Sequence, residues 1–204
     1  MRKRIGISCI ALGLACLAIA IGFVVYNRYE AKAGAQTSQA LLEHAHPSIY
    51  EAVQAEVAPP ANVPDVPETT PREMRTVPVG DYDCIGILSI PVLELELPVL
   101  ADWDYEKLKS APCHYYGSCY TPDFVIAAHN YPAHFGRLSQ LRAGDLVIFT
   151  DVTGTVYFYE VILLETLAAT ATEEMITSGF DHTLYTCTPG GGNRVTVRCR
   201  AVKP

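Results

Sequence analysis

The stretch Thr183-Leu184-Tyr185-Thr186-Cys187, the turn Thr188-Pro189-Gly190-Gly191-Gly192-Asn193 and the run from Arg194 to Val202 decide the reading of this chain. The first run is apolar and β-branched and ends in a cysteine. The Pro/Gly block is turn chemistry. The last run alternates, so Arg194, Arg198 and Arg200 share one face and Val195, Val197 and Cys199 share the other, which is assigned to the core. Two strands joined by that turn bring Cys187 and Arg194 to the same end. Arg198 lies four residues further on, about 13 Å along the strand.

A second run, Phe124-Val125-Ile126-Ala127-Ala128, delivers His129, followed by the turn Asn130-Tyr131-Pro132. Cysteine, histidine and arginine at strand ends supply a nucleophile, a proton carrier and a cation for an oxyanion. Other histidines compete: His44 and His46 in the N-terminal third, His114 and His134 in expected loops, and His182 five residues before the cysteine. An apolar substrate pocket is expected between the Phe158–Leu164 strand, the 167–179 connection and the Cys187 strand. Leu163, Leu167 and Ile176 are its candidate lining, with Thr186 and Asn130 flanking the reactive pair. Each of these side chains has ordinary core packing as its competing reading.

The rest of the C-terminal part has the same texture. Ile85 to Ile90 and Leu93 to Val99 read as strands broken at Pro91. Asp145 to Thr150 and Thr155 to Leu164 flank Asp151-Val152-Thr153-Gly154 and read as a hairpin. Ala101 to Ser110 is expected to be a short helix, and residues 173–178 one or two helical turns. Many short strands with turn signals and little helix point to an all-β domain closed as a barrel, which removes exposed edges. Its expected span is 80–204.

Before it stand two other segments. Ile5 to Tyr26 is an uncharged apolar run of 22 residues, long enough to cross a bilayer, preceded by Arg2-Lys3-Arg4. The positive-inside rule puts residues 1–26 as a signal-anchor with a cytoplasmic tip and the remainder outside. A cleaved signal peptide is the competing reading, with Ala31-Lys32-Ala33 as small residues, but the run exceeds the usual signal core. Residues 27–79 read as a juxtamembrane helix, interrupted at Pro47, and a proline-rich extended linker.

The net charge is −7 and no basic block follows the first three cations, which argues against nucleic-acid binding. Of seven cysteines, Cys9 and Cys16 fall in the apolar run. Cys84, Cys113, Cys119 and Cys199 are either buried thiols or up to two disulfides, with Cys113 and Cys119 near enough in sequence to close a loop. Cysteine and histidine spacings do not match a structural zinc site, and no metal or other cofactor is expected.

The T-L-x-T-C signature, the arginine before a hydrophobic strand and the upstream Ala127-Ala128-His129-Asn130 resemble the sortase family, the membrane-anchored cysteine transpeptidases of Gram-positive bacteria. The resemblance covers about Tyr82 to the end. It implies an eight-stranded barrel, selects His129 among the histidines, and casts Cys187, His129 and Arg194 as catalytic. It further implies cleavage of an LPxTG-like sorting signal on secreted proteins between Thr and Gly. The acyl group then passes to an amine of a peptidoglycan precursor or pilin. The surroundings of His129 look most like class B or related clostridial-type sortases, and no Asp-Pro is present to form the lid motif of pilin-polymerising ones. Two alternatives use the same residues differently. One is a hydrolytic cysteine peptidase. The other is a non-catalytic, membrane-tethered barrel that binds peptide or cell-wall polymer.

Overall fold

The computed structural model describes residues 2–57 and 73–203. The proline-rich linker expected between them falls mostly on 58–72, outside the described residues.

A single helix, α1 (Arg2–Val57), replaces the expected pair of segments. Its apolar first half is exposed on every side, with Ile10, Leu14, Leu17 and Phe23 all open to the surroundings. Apolar residues all round a helix suit a membrane. Among the described residues it is the one helix long and apolar enough to cross one. The helix does not break at Pro47, although proline removes a hydrogen bond and crowds the preceding turn. Packing on both sides of the proline offsets that cost. Ser38, Leu41, Ala45 and Ile49 form a buried stripe against the barrel. Full burial of a Leu or Ile stabilises by about 1.5–3 kcal/mol.

The barrel strands are β1 (Val77–Val79), β2 (Tyr82–Ile90), β3 (Leu95–Leu100), β4 (Cys113–Tyr116), β5 (Phe124–Ala127), β6 (Leu146–Asp151), β7 (Val156–Ala168), β8 (His182–Cys187) and β9 (Asn193–Val202). The order is β1-β2-β3-β4-β5-β8-β9-β7-β6, and β6 pairs back onto β2. Strands β2 to β9 therefore close into an eight-stranded barrel, with β1 lying beside β2 ahead of the β6 contact. The sheet is mixed, because β3–β4 and β5–β8 are parallel. It begins at Val77, three residues before the expected boundary.

Several elements differ from the sequence reading. Pro91–Leu93 is a 3-10 turn and β3 starts only at Leu95, after Glu94 in the left-handed region. The helix expected over Ala101 to Ser110 shrinks to α2 (Lys107–Ser110). Strand β7 runs on to Ala168 past a bulge between Val161 and Leu163. A short helix, α3 (Thr172–Ile176), lies between β7 and β8.

Alternation along the strands sorts the core into two layers. Leu88, Phe124, Ile126, Phe149, Leu184 and Val197 fill the barrel interior. Val125, Ala127 and Tyr185 point outward and belong to a second cluster that also contains the α1 stripe and Met175 of α3. His129, two residues beyond Ala127, and Cys187, two beyond Tyr185, continue that outer face.

Candidate active site

Strand β8 lies between β5 and β9, and its C-terminal end collects the three candidate side chains. The parallel β5–β8 register runs from Phe124↔His182 to Ala127↔Tyr185, so the next positions of the same face are His129 and Cys187. The Ala128 N–H donates to Tyr185 O at 3.2 Å, which carries the pairing one residue further. On the other side β8 and β9 are antiparallel, with Cys187 directly opposite Arg194. Histidine, cysteine and arginine thus stand on three neighbouring strand ends, with strands about 4.8 Å apart.

The turn joining β8 to β9 fixes this register. Gly190 and Gly191 have φ of 86° and 77°, a region that favours glycine. Thr188 N donates to Asn193 O at 2.9 Å, and Asn193 N donates to Thr188 Oγ1 at 3.1 Å. One Arg194 amino group donates to Gly191 O at 3.0 Å and to Asn193 O at 3.1 Å. The guanidinium is therefore held at the turn, and its fork has further donors beyond that amino group.

Cys187 is half-buried, whereas Cys84, Cys113 and Cys199 are enclosed and carry thiols that burial pushes up to about 12. Burial keeps those three protonated and unreactive, and among the described residues no cysteine is in a disulfide. His129 is half-buried, and its Nε2 is enclosed without a hydrogen-bond partner. Burial lowers its pKa below the usual 6.5, with the Glu30 carboxylate opposing that, Lys109 adding to it and Glu106 opposing it.

Two cavities border this row of residues. The larger, about 610 Å³, contains Cys187, His129 and Asn130 on the barrel side and Val24, Arg28 and Glu30 of α1 on the other. The smaller, about 210 Å³, is lined by Trp103, Tyr105, Tyr115, Met175, Tyr185 and Arg194. Its aromatic rings form an edge-to-face chain, Tyr105–Trp103–Tyr115–Tyr185, with centroids 5.2, 5.9 and 5.3 Å apart. Cys187 opens to one cavity and Arg194 to the other, so the paired residues stand on the wall between them. A further cavity, beside Tyr120, Tyr157 and Lys203, lies towards the opposite end of β8. Among the described residues no cluster of His, Cys, Asp or Glu could hold a metal ion.

The remaining expected site residues divide. Asn130 lines the larger cavity. Leu167 pairs with Arg194 and, like Ile176, packs on the outer core next to residues of the aromatic cavity. Leu163 sits opposite Arg198 and is exposed, away from both cavities. Strand β9 separates β7 from β8, so the Phe158–Leu164 stretch does not border the cysteine strand. Thr186 is buried and donates to Ala128 O at 2.8 Å. Its hydroxyl locks β8 to the end of β5 beneath His129 and does not face a cavity. His182 lies inside the barrel and His134 is enclosed beside Tyr131.

Arg198 occupies the outer face, as alternation requires, yet only 2% of it is exposed. The segment around α3 folds over it. Nε meets Glu165 Oε1 at 2.7 Å, and the two amino groups reach Thr183 Oγ1, Met175 O and Glu174 O. It clamps α3 to the barrel.

Sequence reasoning missed the aromatic wall and the α1 wall. The lone tryptophan and Tyr185, inside the signature itself, were the available signals for the first. Gly34 was the signal for the second: a Cβ there would stand 2.5 Å from Lys109 O, so only glycine lets α1 seat this closely.

A family model described as Sortase domain matches residues 88–202, more than half of the chain. Among curated proteins none matches. Solved structures similar to this chain include sortase C1 from Streptococcus agalactiae, 26% identical with a TM-score of 0.53, covering 59% of this chain and 68% of that one. Sortase C from Clostridium perfringens, solved with the C-terminal cell wall sorting motif, is 18% identical with a TM-score of 0.55, covering 81% and 89%. Sortase A from Corynebacterium diphtheriae is 19% identical with a TM-score of 0.56, covering 83% and 95%.

Proposed function

Because the chain belongs to the sortase family, we propose that it is a membrane-anchored cysteine transpeptidase that cleaves an LPxTG-like sorting signal and transfers the protein to a cell-wall amine. The observation that carries this reading is the row of His129, Cys187 and Arg194 on adjacent strand ends, with His129 and Cys187 lining one cavity and Arg194 another. The similar solved structures are of classes A, C and E. They do not favour the class B likeness seen around His129, and we assign no class.

In this mechanism Cys187 reacts as the thiolate, balanced by an imidazolium at His129. The sulfur attacks the threonine carbonyl of the signal. Arg194 holds the oxygen of the tetrahedral intermediate, a contribution of about 3–4 kcal/mol for one preorganised donor. The C–N bond breaks, His129 gives its proton to the leaving glycine amine, and a thioester remains on Cys187. An acceptor amine attacks that thioester, loses its proton to His129 and frees the thiolate. Nothing is oxidised or reduced.

The aromatic cavity beside Arg194 is the proposed seat of the apolar residues of the signal, with Leu167 and Ile176 backing it. Residues Ile5 to Tyr26 cross the bilayer, with Arg2-Lys3-Arg4 on the cytoplasmic side. The catalytic cavity begins at Val24, where that run ends. A signal held just ahead of its own apolar segment would meet the thiol at the membrane surface.

The test is ligation. Full-length protein is incubated with a fluorogenic sorting-signal peptide, with and without a primary amine, and products are identified by mass. A ligated product is expected. Hydrolysis alone at saturating amine would make the protein a peptidase, and no turnover or thiol acylation across a peptide panel would make it a binding module.

A further inference from the structure

We propose that Glu30 of α1 is a positioning residue for His129, acting through Tyr131, so that the membrane helix is a working part of the active site. The inference rests on the assignment of His129 as the proton carrier. Among the described residues no side-chain hydrogen bond holds the His129 ring, and its Nε2 is enclosed without a partner. What does hold it is Tyr131, stacked on it with centroids 4.8 Å apart and an interplanar angle of 25°. Tyr131 is in turn held by α1. Glu30 lines the same cavity as the tyrosine. One helical turn on, Gly34 lies against the same ring, where a Cβ would be 3.0 Å from the ring edge. Positions 30 and 34 share a helix face, so both act on Tyr131 together. Burial first, then the charge and hydrogen bond of Glu30, push the tyrosine to about 12, which keeps it a donor.

The electrostatics point the same way. The groups facing His129 are Glu30 and Arg28 from α1, Lys109 and Glu106 from α2 and the residue before it, Tyr131 and His134 from its own loop, and Cys187 from β8. Lys109 lies 3.8 Å from Glu30 and 2.9 Å from Glu106. Lys109 works against an imidazolium. Glu30 favours it from inside the cavity that holds the thiol, and protonated His129 is the form that pairs with the thiolate and supplies the leaving amine.

The experiment uses full-length protein in nanodiscs with the variants Glu30→Gln, Glu30→Asp, Tyr131→Phe and Gly34→Leu. The first readout is the pH profile of turnover. The second is the NMR titration of the His129 ring in a Cys187→Ala background, which needs no activity. Glu30→Gln should lower the His129 pKa and move the alkaline limb of kcat/KM to lower pH. It should also reduce kcat roughly tenfold, as expected for a misplaced catalytic group, with little change in KM. Glu30→Asp should restore part of both. Tyr131→Phe keeps the stacked ring and loses the hydroxyl, and Gly34→Leu keeps the helix and disturbs its seat; both should lower kcat. An unshifted His129 titration with wild-type kcat in Glu30→Gln would overturn the proposal while Cys187 stayed essential. Activity surviving in Cys187→Ala would instead overturn the transpeptidase reading.

Discussion

Arg194 and Arg198 share a strand face, and their replacement by alanine should produce opposite defects. Arg198 is buried and makes four contacts: Glu165 at 2.7 Å, Thr183 at 3.1 Å, Met175 O at 3.3 Å and Glu174 O at 2.6 Å. Hydrogen bonds to a charged group contribute about 1.5–3 kcal/mol each. The gross loss is offset by release of the several kcal/mol that burying a guanidinium costs. It is also offset by rehydration of Glu165, whose side chain is 32% exposed. The net should fall near the low end of broken buried pairs, about 3 kcal/mol. For a domain of this size that is a fall of about 10 °C in Tm. Among the described residues Arg194 hydrogen-bonds to carbonyls of an exposed turn, so Arg194→Ala should cost less than about 1 kcal/mol. Its turnover should nevertheless drop by about 10²–10³, the loss of one oxyanion donor. Arg194→Lys should rescue poorly, since an ammonium lacks the planar fork. Melting curves paired with peptide turnover, measured well below the lower transition, separate the two effects. A normal Tm with abolished turnover in Arg198→Ala, beside an active Arg194→Ala, would refute the assignment.

Three further outcomes are expected. Burial holds the imidazoles of His134 and His182 down to about 4, so the unfolded chain, titrating near 6.5, binds protons that the folded one excludes. Their contribution is complete above about pH 6.5 and is lost as the pH falls towards about 4, up to ~3 kcal/mol for each. Urea midpoints should therefore fall across that window, and His182→Phe should flatten the slope; a midpoint independent of pH would contradict this. Trp103→Ala and Tyr115→Ala open the aromatic cavity and should raise KM for the signal peptide several-fold with kcat largely kept. An unchanged KM would remove that cavity from substrate binding. Protease added to intact protoplasts should digest the barrel and spare the N-terminus, and a protected barrel would reverse the proposed topology.

The β8–β9 hairpin was legible because two periodicities agreed there. The alternation of residues 194–202 and the single turn block before them admit one register, and Cys187↔Arg194 is that register. Barrel closure was legible for a similar reason, since many short runs with turn signals have few ways to hide their edges. What escaped was set by tertiary packing. Strand β4 is a short Cys-His-Tyr-Tyr run without alternating polarity, and β1 contains Pro78, which local propensity rejects. The continuity of α1 through Pro47 depends on the stripe Ser38–Leu41–Ala45–Ile49 meeting a surface that the sequence does not announce. Arg198 lies on the face that alternation gives it yet is buried there, because alternation reports direction and not what later folds over it.

The most direct measurement is the intact mass of the full-length protein trapped with a sorting-signal peptide and no added amine. An increase equal to the acyl portion of the peptide is expected, mapped to Cys187, absent in Cys187→Ala and discharged by a primary amine. Peptide cleavage by Cys187→Ala, or an adduct on another cysteine, would contradict the assignment of Cys187 as the nucleophile.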